Sequence, residues 1–313
     1  MIWVGWRQQR WETIVAAAIL AAIAALLIPT GLSMLSSYNN DGLNSCAGAL
    51  QGGACDAAAR QFIHEFDGIG NLIAWFTLVP GIIGILLAAP FVTDLERGTY
   101  RLDWTQGITR RRWIAGKLGI AVVTAIVAAG VFIALVTWWR TPLVRVQGRM
   151  DNSVFDSEGI VAIGYALFAL GLAAAIGAIW RRAVPALVSA FALYFAARLF
   201  VDTWLRQRLV SPLHATWAVN GRGPSLDKAW ILSQVPTDQH GHALSLTVLN
   251  CSKAAGATCN TAVPTKGAVQ YFQTVYHPPS HFWPLQSVEF ALFAGAAALL
   301  LGLAALWTAR RVA

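Results

Sequence analysis

The chain has 313 residues, 57% of them hydrophobic and only 12% charged, with a formal net charge of +8. A soluble domain usually carries about twice that charged share, so this composition excludes a water-exposed globular surface. Mean hydropathy of +0.55 and six runs of about 20 apolar residues predict an all-α polytopic membrane protein with six transmembrane helices.

The first twelve residues, "MIWVGWRQQRWE", place Trp3, Trp6, Arg7, Arg10 and Trp11 at helical spacing. Two readings stay open: an amphipathic helix lying in the headgroup layer over 1–12, or aromatic and basic anchors of the first span. That span is uncharged from Thr13 to Asn40. It is too long for a signal-peptide core and no convincing A-x-A site follows, so it is expected to be retained. A polar, Gly-rich loop over 35–67 leads to a second span at Gly68–Thr93. Pro29 and Pro80 are expected to kink the first and second spans. The third span covers Leu118–Trp139 and the fourth Gly159–Trp180, with Arg181-Arg182 as a tight turn before the fifth, Ala183 to about Trp204. Residues 205–285 change character: Pro, Gly, Ser, Thr, Asn and His, with alternating runs such as "ALSLTVLN" and "AVQYFQTVY". Such alternation predicts a small external domain with some β-structure. The sixth span, Phe290–Ala309, lies in a last unit of 286–313 with a short tail. The predicted units are thus 1–12, 13–204, 205–285 and 286–313, with an inner loop at 94–117.

Counting Lys and Arg orients the chain. With the N-terminus inside, twelve basic residues fall in fewer than 50 inner positions, against ten over roughly 135 outer ones. N-in and C-in follows, and the net positive charge meets anionic lipid without any need for nucleic acid. All four cysteines then lie outside, Cys46 and Cys55 in the first outer loop, Cys251 and Cys259 in the last. Cysteines confined to the oxidising side predict disulfides. Of three possible connectivities, Cys46–Cys55 and Cys251–Cys259 are favoured because each closes a short loop. Small residues at Ala17, Ala21 and Ala25, and at Ala294, Ala298 and Gly302, recur at the spacing of close helix contact.

Within the spans only Arg198 and Asp202 are charged, four residues apart. A salt-bridged pair reaching the outer headgroups is favoured over a substrate contact, and Glu289 is placed at the interface. This scarcity of buried acids disfavours an ion-driven carrier. His240 and His242 form an H-x-H, and His277 and His281 are four apart. Pro278 and Pro279 argue against a helical two-histidine site, so no metal is expected. No G-x-S-x-G elbow argues for hydrolysis, and no catalytic residue is expected.

The inner connection between spans two and three reads "ERGTYRLDWTQGITRRRW", Glu96 to Trp113. A short polar helix is expected there, broken by Gly107, with Thr109 as N-cap of the third span. Arg110, Arg111 and Arg112 then sit at the positive end of a helix dipole, which is unfavourable unless anions lie nearby. A basic belt explains those arginines but not Glu96, Gly98, Thr99, Leu102, Trp104, Thr105 and Gln106 in one run.

The order "ERGTYRLDWTQGITRRRWIAGKL", together with "WVGWRQQRW", resembles the membrane subunits of ABC-2-type ATP-binding-cassette transporters, in particular actinobacterial ones. The likeness covers the layout of the whole chain, and about 23 residues carry its specific part. It implies that Glu96, Gly98, Thr99, Arg101, Leu102, Trp104, Thr105 and Gln106 form a coupling helix that rests in a cleft of a separate ATPase subunit. It further implies a second, identical or homologous permease copy, membrane lipid around both, and a bacterial plasma-membrane location. An external segment of about 80 residues exceeds the short element common in that family, so the substrate class does not carry over. The chain has no phosphate loop: Gly116-Lys117 lacks the upstream glycine and is followed by Leu118. ATP and Mg are therefore expected on the partner, with no cofactor on this chain. An exporter of an amphipathic drug, lipid or peptide is the leading expectation. A receptor or anchor whose external domain binds a ligand is the alternative.

Overall fold

The computed structural model describes residues 2–43, 54–105, 109–150, 155–218, 223–224, 226, 228–238, 240, 242–244, 246–250, 260–264 and 271–311, with the backbone alone for 2–8, 54, 56, 67, 69–74, 102–103, 105, 246–250 and 260–264. Eight helices are used below: α1 Ile2–Asn40, α2 Ala54–Phe76, α3 Val79–Arg97, α4 Tyr100–Thr105, α5 Arg110–Gln147, α6 Val161–Trp180, α7 Ala183–Phe200 and α8 Phe282–Arg311. A wide π turn, Val201–Leu205, and a last turn, Arg206–Leu209, prolong α7. Among the described residues, six helical stretches are long and apolar enough to cross a membrane: α1, α3, α5, α6, α7 with its extension, and α8 with the turn before it. The prediction of six spans with a small β-containing unit between the last two holds.

Within the lone chain α6 is the centre. It packs against α8, α3, α7 and α5, and its Val161, Ala162, Tyr165, Ala166, Ala169 and Leu170 are all inaccessible. Close approach to α3 depends on absent side chains. A Cβ on Gly84 would stand 2.1 Å from the Ala166 carbonyl oxygen, and one on Gly81 would lie 2.2 Å from the Tyr194 ring. Backbones that near gain dispersion contact that lipid cannot match. The small residues singled out by spacing serve no such purpose inside the chain. Ala17, Ala21, Ala25, Ala298 and Gly302 are exposed, and Ala294 is half-buried.

The prolines correct two expectations. The second span starts at Val79, not Gly68, and Pro80 sits in its first turn rather than mid-helix. Proline fits there because the first turn leaves its N–H groups without helical partners anyway. Residues 68–76 instead end α2, which buries Ala59, Phe62 and Phe66 and sets Phe62 edge-on to Tyr38 of α1 at 6.0 Å. α1 runs on through Pro29. Beside it the Thr30 hydroxyl donates to the Leu26 carbonyl (2.8 Å) and accepts from the Trp139 indole (2.9 Å), pinning α1 to α5. Residues 2–12, read as a separate unit, continue into the first span without a helical break.

The helix ends gather into two groups. At one end lie α4, the Arg181-Arg182 turn and the end of α8: an Arg181 Nη donates to the Arg311 carbonyl at 2.8 Å. At the other end lie α2, the 148–160 connection and the strands. A three-stranded antiparallel sheet has the order β1 (Leu213–Ala218), β5 (Tyr271–His277), β2 (Trp230–Thr237), and β3 (Leu246–Asn250) pairs with β4 (Asn260–Pro264). Lys228, just before β2, donates from Nζ to the Arg145 carbonyl of α5 at 2.8 Å, tying the sheet to the bundle.

Candidate functional site

The predicted inner connection is an elbow built from three anchors. α3 ends at Gly98, whose φ of +71° closes the helix in the left-handed region that glycine adopts without strain. The chain then turns directly into α4. Asp94 forms the first anchor: its carboxylate accepts from the Thr99 hydroxyl at 2.9 Å and forms a salt bridge with Lys117 of α5, which is nearly buried. Glu96 forms the second. Its Oε2 accepts from the Ala183 N–H at 3.0 Å, so the elbow supplies a carboxylate to the N-terminus of α7, where the helix dipole favours it. The third is aromatic. Tyr100 and Trp104 of α4 lie 4.6 Å apart between ring centres, and both reach Trp113 of α5, at 6.3 and 6.2 Å. Arg110 stacks over Trp104 at 4.7 Å.

The residues assigned by resemblance therefore divide. Glu96 is exposed yet holds α7; Thr99 is exposed and bonded to Asp94; Arg101 is exposed beside the Tyr100 ring. Trp104 faces inward, and its indole N–H is buried with no hydrogen-bond partner among the described residues. Leu102 and Thr105 lie on α4, where only their backbone is described, and Gln106 and Gly107 lie outside the described residues. Thr109 holds the extended backbone of an N-cap, but its hydroxyl makes no capping bond. Arg110, Arg111 and Arg112 are exposed beside it.

At the sheet end the sequence reading needs larger corrections. Arg198 does not pair with Asp202. It forms a salt bridge with Asp156, from the connection before α6, and stands 3.6 Å from Glu289 of α8. Asp202 instead pairs with Arg206 at 2.7 Å. Asp202 thus takes the partner one turn after it rather than the one before it, across a π turn in which the Arg206 N–H bonds to Val201, five residues back. Glu289, expected at an interface, is fully buried, and so is Arg206, which donates to it from Nε at 2.9 Å and from Nη2 at 3.0 Å. Arg206 also pairs with Asp156, and the Tyr165 hydroxyl contacts both Asp156 (2.9 Å) and Glu289. Buried Glu158 pairs with Arg140 of α5 at 3.3 Å. Buried acids are thus more numerous than the span composition implied. Burial alone would raise the Asp156 carboxyl, but the Arg198 and Arg206 guanidiniums hold it below the usual carboxylate range. Gln286 closes the joint, accepting the Val161 N–H at 3.0 Å and donating to the Phe155 and Glu158 carbonyls at 2.8 Å each.

Of the remaining candidates, Trp11 is exposed with Arg10 5.4 Å over its ring, while the side chains of Trp3, Trp6 and Arg7 are outside the description. Cys55 is not a free thiol. Cys46, Cys251 and Cys259, and with them both favoured pairings, fall outside the described residues. His240 and His242 shape a turn by donating their backbone N–H groups to Asp238. Despite the two prolines, His277 and His281 meet Nδ1 to Nδ1 at 3.1 Å across a 3-10 turn. Among the described residues no three His, Cys, Asp or Glu side chains are grouped to hold a metal.

No curated protein and no solved structure is similar enough to match. The family model described as "ABC-2 membrane transporter related" matches residues 17–206, which take in all or most of five of the six spans, the elbow, and Arg140, Arg198 and Arg206 of the sheet-end cluster. The chain belongs to the ABC-2 membrane transporter related family.

Proposed function

We propose that the chain is the membrane subunit of an ATP-driven exporter, with the elbow in the cytoplasm as the docking point of a separate ATPase subunit. The observation that supports this most is the elbow's double character. One side is locked to α3, α5 and α7 through Asp94–Lys117, the Trp113 cluster and the Glu96 cap. The other presents Arg97, Thr99, Arg101 and the Arg110–Arg112 run to its surroundings. A force applied to so short and tightly held a segment is passed to three spans at once, because packed helices move as bodies rather than deform.

The chain supplies no catalytic residue in this reading; Mg and ATP stay on the partner. Two membrane subunits, identical or homologous, pair across outward-facing surfaces such as the apolar side of α7, where Val184, Val188 and Leu199 are 73%, 63% and 53% exposed. Lipid covers the rest. The path between the pair carries an amphipathic molecule: a drug, lipid or peptide. N-in and C-in topology puts the sheet outside the plasma membrane, where Cys46–Cys55 and Cys251–Cys259 can form.

The test is co-expression with a cognate ATPase. The ATPase should co-purify with the wild-type chain, and its hydrolysis rate should respond to membrane assembly. Arg101→Glu should abolish that response while leaving the chain folded. A stable, monodisperse chain that recruits no ATPase, yet binds a ligand through its sheet, would support the receptor reading instead.

A further inference from the structure

The turn between α6 and α7 sets an arginine where helices ordinarily end on glycine. Arg181 is the C-cap of α6 at φ +53° and ψ +34°, and its N–H bonds to the Gly177 carbonyl at 2.9 Å. A Cβ is disfavoured in that left-handed region, so glycine would fit it better. The side chain acts at a distance instead: one Nη donates to the Arg311 carbonyl at 2.8 Å and ties the turn to the end of α8. Arg110 reaches the Ala309 carbonyl at 3.5 Å. The free carbonyls of a helix C-terminus attract cations, and these two contacts use that attraction.

The tie brings two like patterns together. α6 and its turn end in Trp180-Arg181-Arg182, and α8 ends in Trp307 with Arg310-Arg311 after it. All four arginines are exposed, and the Arg311 guanidinium lies 5.1 Å over the Trp307 ring. None of the four forms a salt bridge among the described residues. The elbow's acids are engaged elsewhere, Asp94 with Thr99 and Lys117, and Glu96 with the Ala183 N–H. Even with Glu96 counted, positive charge is in excess, and like charges gathered at one place repel unless an anion joins them.

A basic belt on one side of the membrane accounts for arginines here, but not for one held at positive φ or for the tie it makes. Along both helices the order is apolar, indole, guanidinium: Ile179 before Trp180, and Leu303 and Leu306 before Trp307. Ile179, Trp180, Leu303 and Leu306 are exposed. A lipid leaflet presents acyl chains, glycerol region and phosphate in that same order. A soluble acidic partner would match the guanidiniums alone. Guanidinium forks suit phosphate oxygens, and there are two pairs of them. We propose that the joined ends of α6 and α8 form a binding site for a phospholipid with two phosphates on one headgroup, a diphosphatidylglycerol. The Arg181–Arg182 and Arg310–Arg311 pairs take one phosphate each, and the acyl chains lie along the exposed apolar residues. The lipid offsets the repulsion among the guanidiniums and staples the end of α8 to the α6–α7 turn. This inference is independent of the exporter reading.

Native mass spectrometry of the full chain, with lipid titrated into detergent, tests it. The probes are tetraoleoyl diphosphatidylglycerol, dioleoyl phosphatidylglycerol at matched total charge, and dioleoyl phosphatidylcholine. The wild type should retain one diphosphatidylglycerol per chain after the other two lipids are lost. Each arginine near an anionic lipid contributes a factor of about five, so Arg182→Gln combined with Arg310→Gln should weaken retention about thirtyfold. Melting of the chain in bilayers gives a second readout. Arg181→Gly suits the backbone of the turn and should stay folded in phosphatidylcholine, yet diphosphatidylglycerol should raise its melting temperature less than that of the wild type. Arg208→Gln, at the sheet end, should change neither readout. Equal retention of phosphatidylglycerol at matched charge, or undiminished retention of diphosphatidylglycerol by the double variant, would overturn the proposal.

Discussion

At the elbow end Glu96, Thr99 and Arg101 are exposed while Tyr100 and Trp104 turn inward; at the sheet end Asp156, Glu289, Arg198 and Arg206 are buried and pair with one another. The first region keeps polar groups available to something outside the chain, and the second directs its ion pairs inward. Stability and recognition are thus separated by location. Polar groups inside a membrane protein are costly unless paired, so the buried cluster acts as a fastener, whereas exposed charges at the elbow cost little and remain free to meet a partner.

Substitutions should break this contrast unequally. The largest effect is expected from Arg206→Ala, which removes the two-nitrogen partner of Glu289 and one of the two guanidiniums facing Asp156. Removing one partner of a buried pair typically costs about 3–5 kcal/mol, and thermal or denaturant unfolding of the chain in detergent should register a loss of that size. Glu96→Gln should cost far less, about 1 kcal/mol, since it weakens one charged cap on the α7 N-terminus. Hydrogen exchange should localise that effect to the first turn of α7, with the sheet end unchanged. If Glu96→Gln proved as damaging as Arg206→Ala, the separation of roles would fail.

A gentler probe lies in the three-stranded sheet. Burial lowers the His277 pKa, the Gln207 carbonyl partly offsets it, and His281 lowers it further. Because the folded value lies below the unfolded one, the unfolded chain takes up a proton first as pH falls. Stability from this group is present above the ordinary histidine range and is lost as pH drops through it. Amide exchange along β5 should therefore quicken on mild acidification. His277→Phe, which keeps a ring against Trp230, should flatten that dependence.

How much of this could be read beforehand follows the same division. The spans were legible because lipid demands long apolar runs, and the elbow because its residues are contiguous. The cluster was not: Asp156, Tyr165, Arg198, Arg206 and Glu289 are spread over more than 130 positions, and only packing brings them together. Asp156 and Glu158 fall outside the predicted spans, and Glu289 read as an interfacial residue. Arg198 and Asp202 matched the four-residue rule, but packing gives each another partner, Asp156 for Arg198 and Arg206 for Asp202. Pro80 misled because proline signals either a kink or a first turn, and position alone does not distinguish them. A sequence clue did exist: four charged or tyrosyl positions within Arg198–Arg208 recur on a segment otherwise apolar enough to span, and intramembrane charges imply partners.

The exporter reading depends on what touches the exposed side of the elbow, and site-specific photo-crosslinking asks this directly. A crosslinker placed at Arg101 in cells that co-express the cognate ATPase should capture the ATPase subunit, whereas one at Thr216 in strand β1 should not. Capture from Thr216, or none from Arg101 in an assembly that hydrolyses ATP and transports, would contradict it.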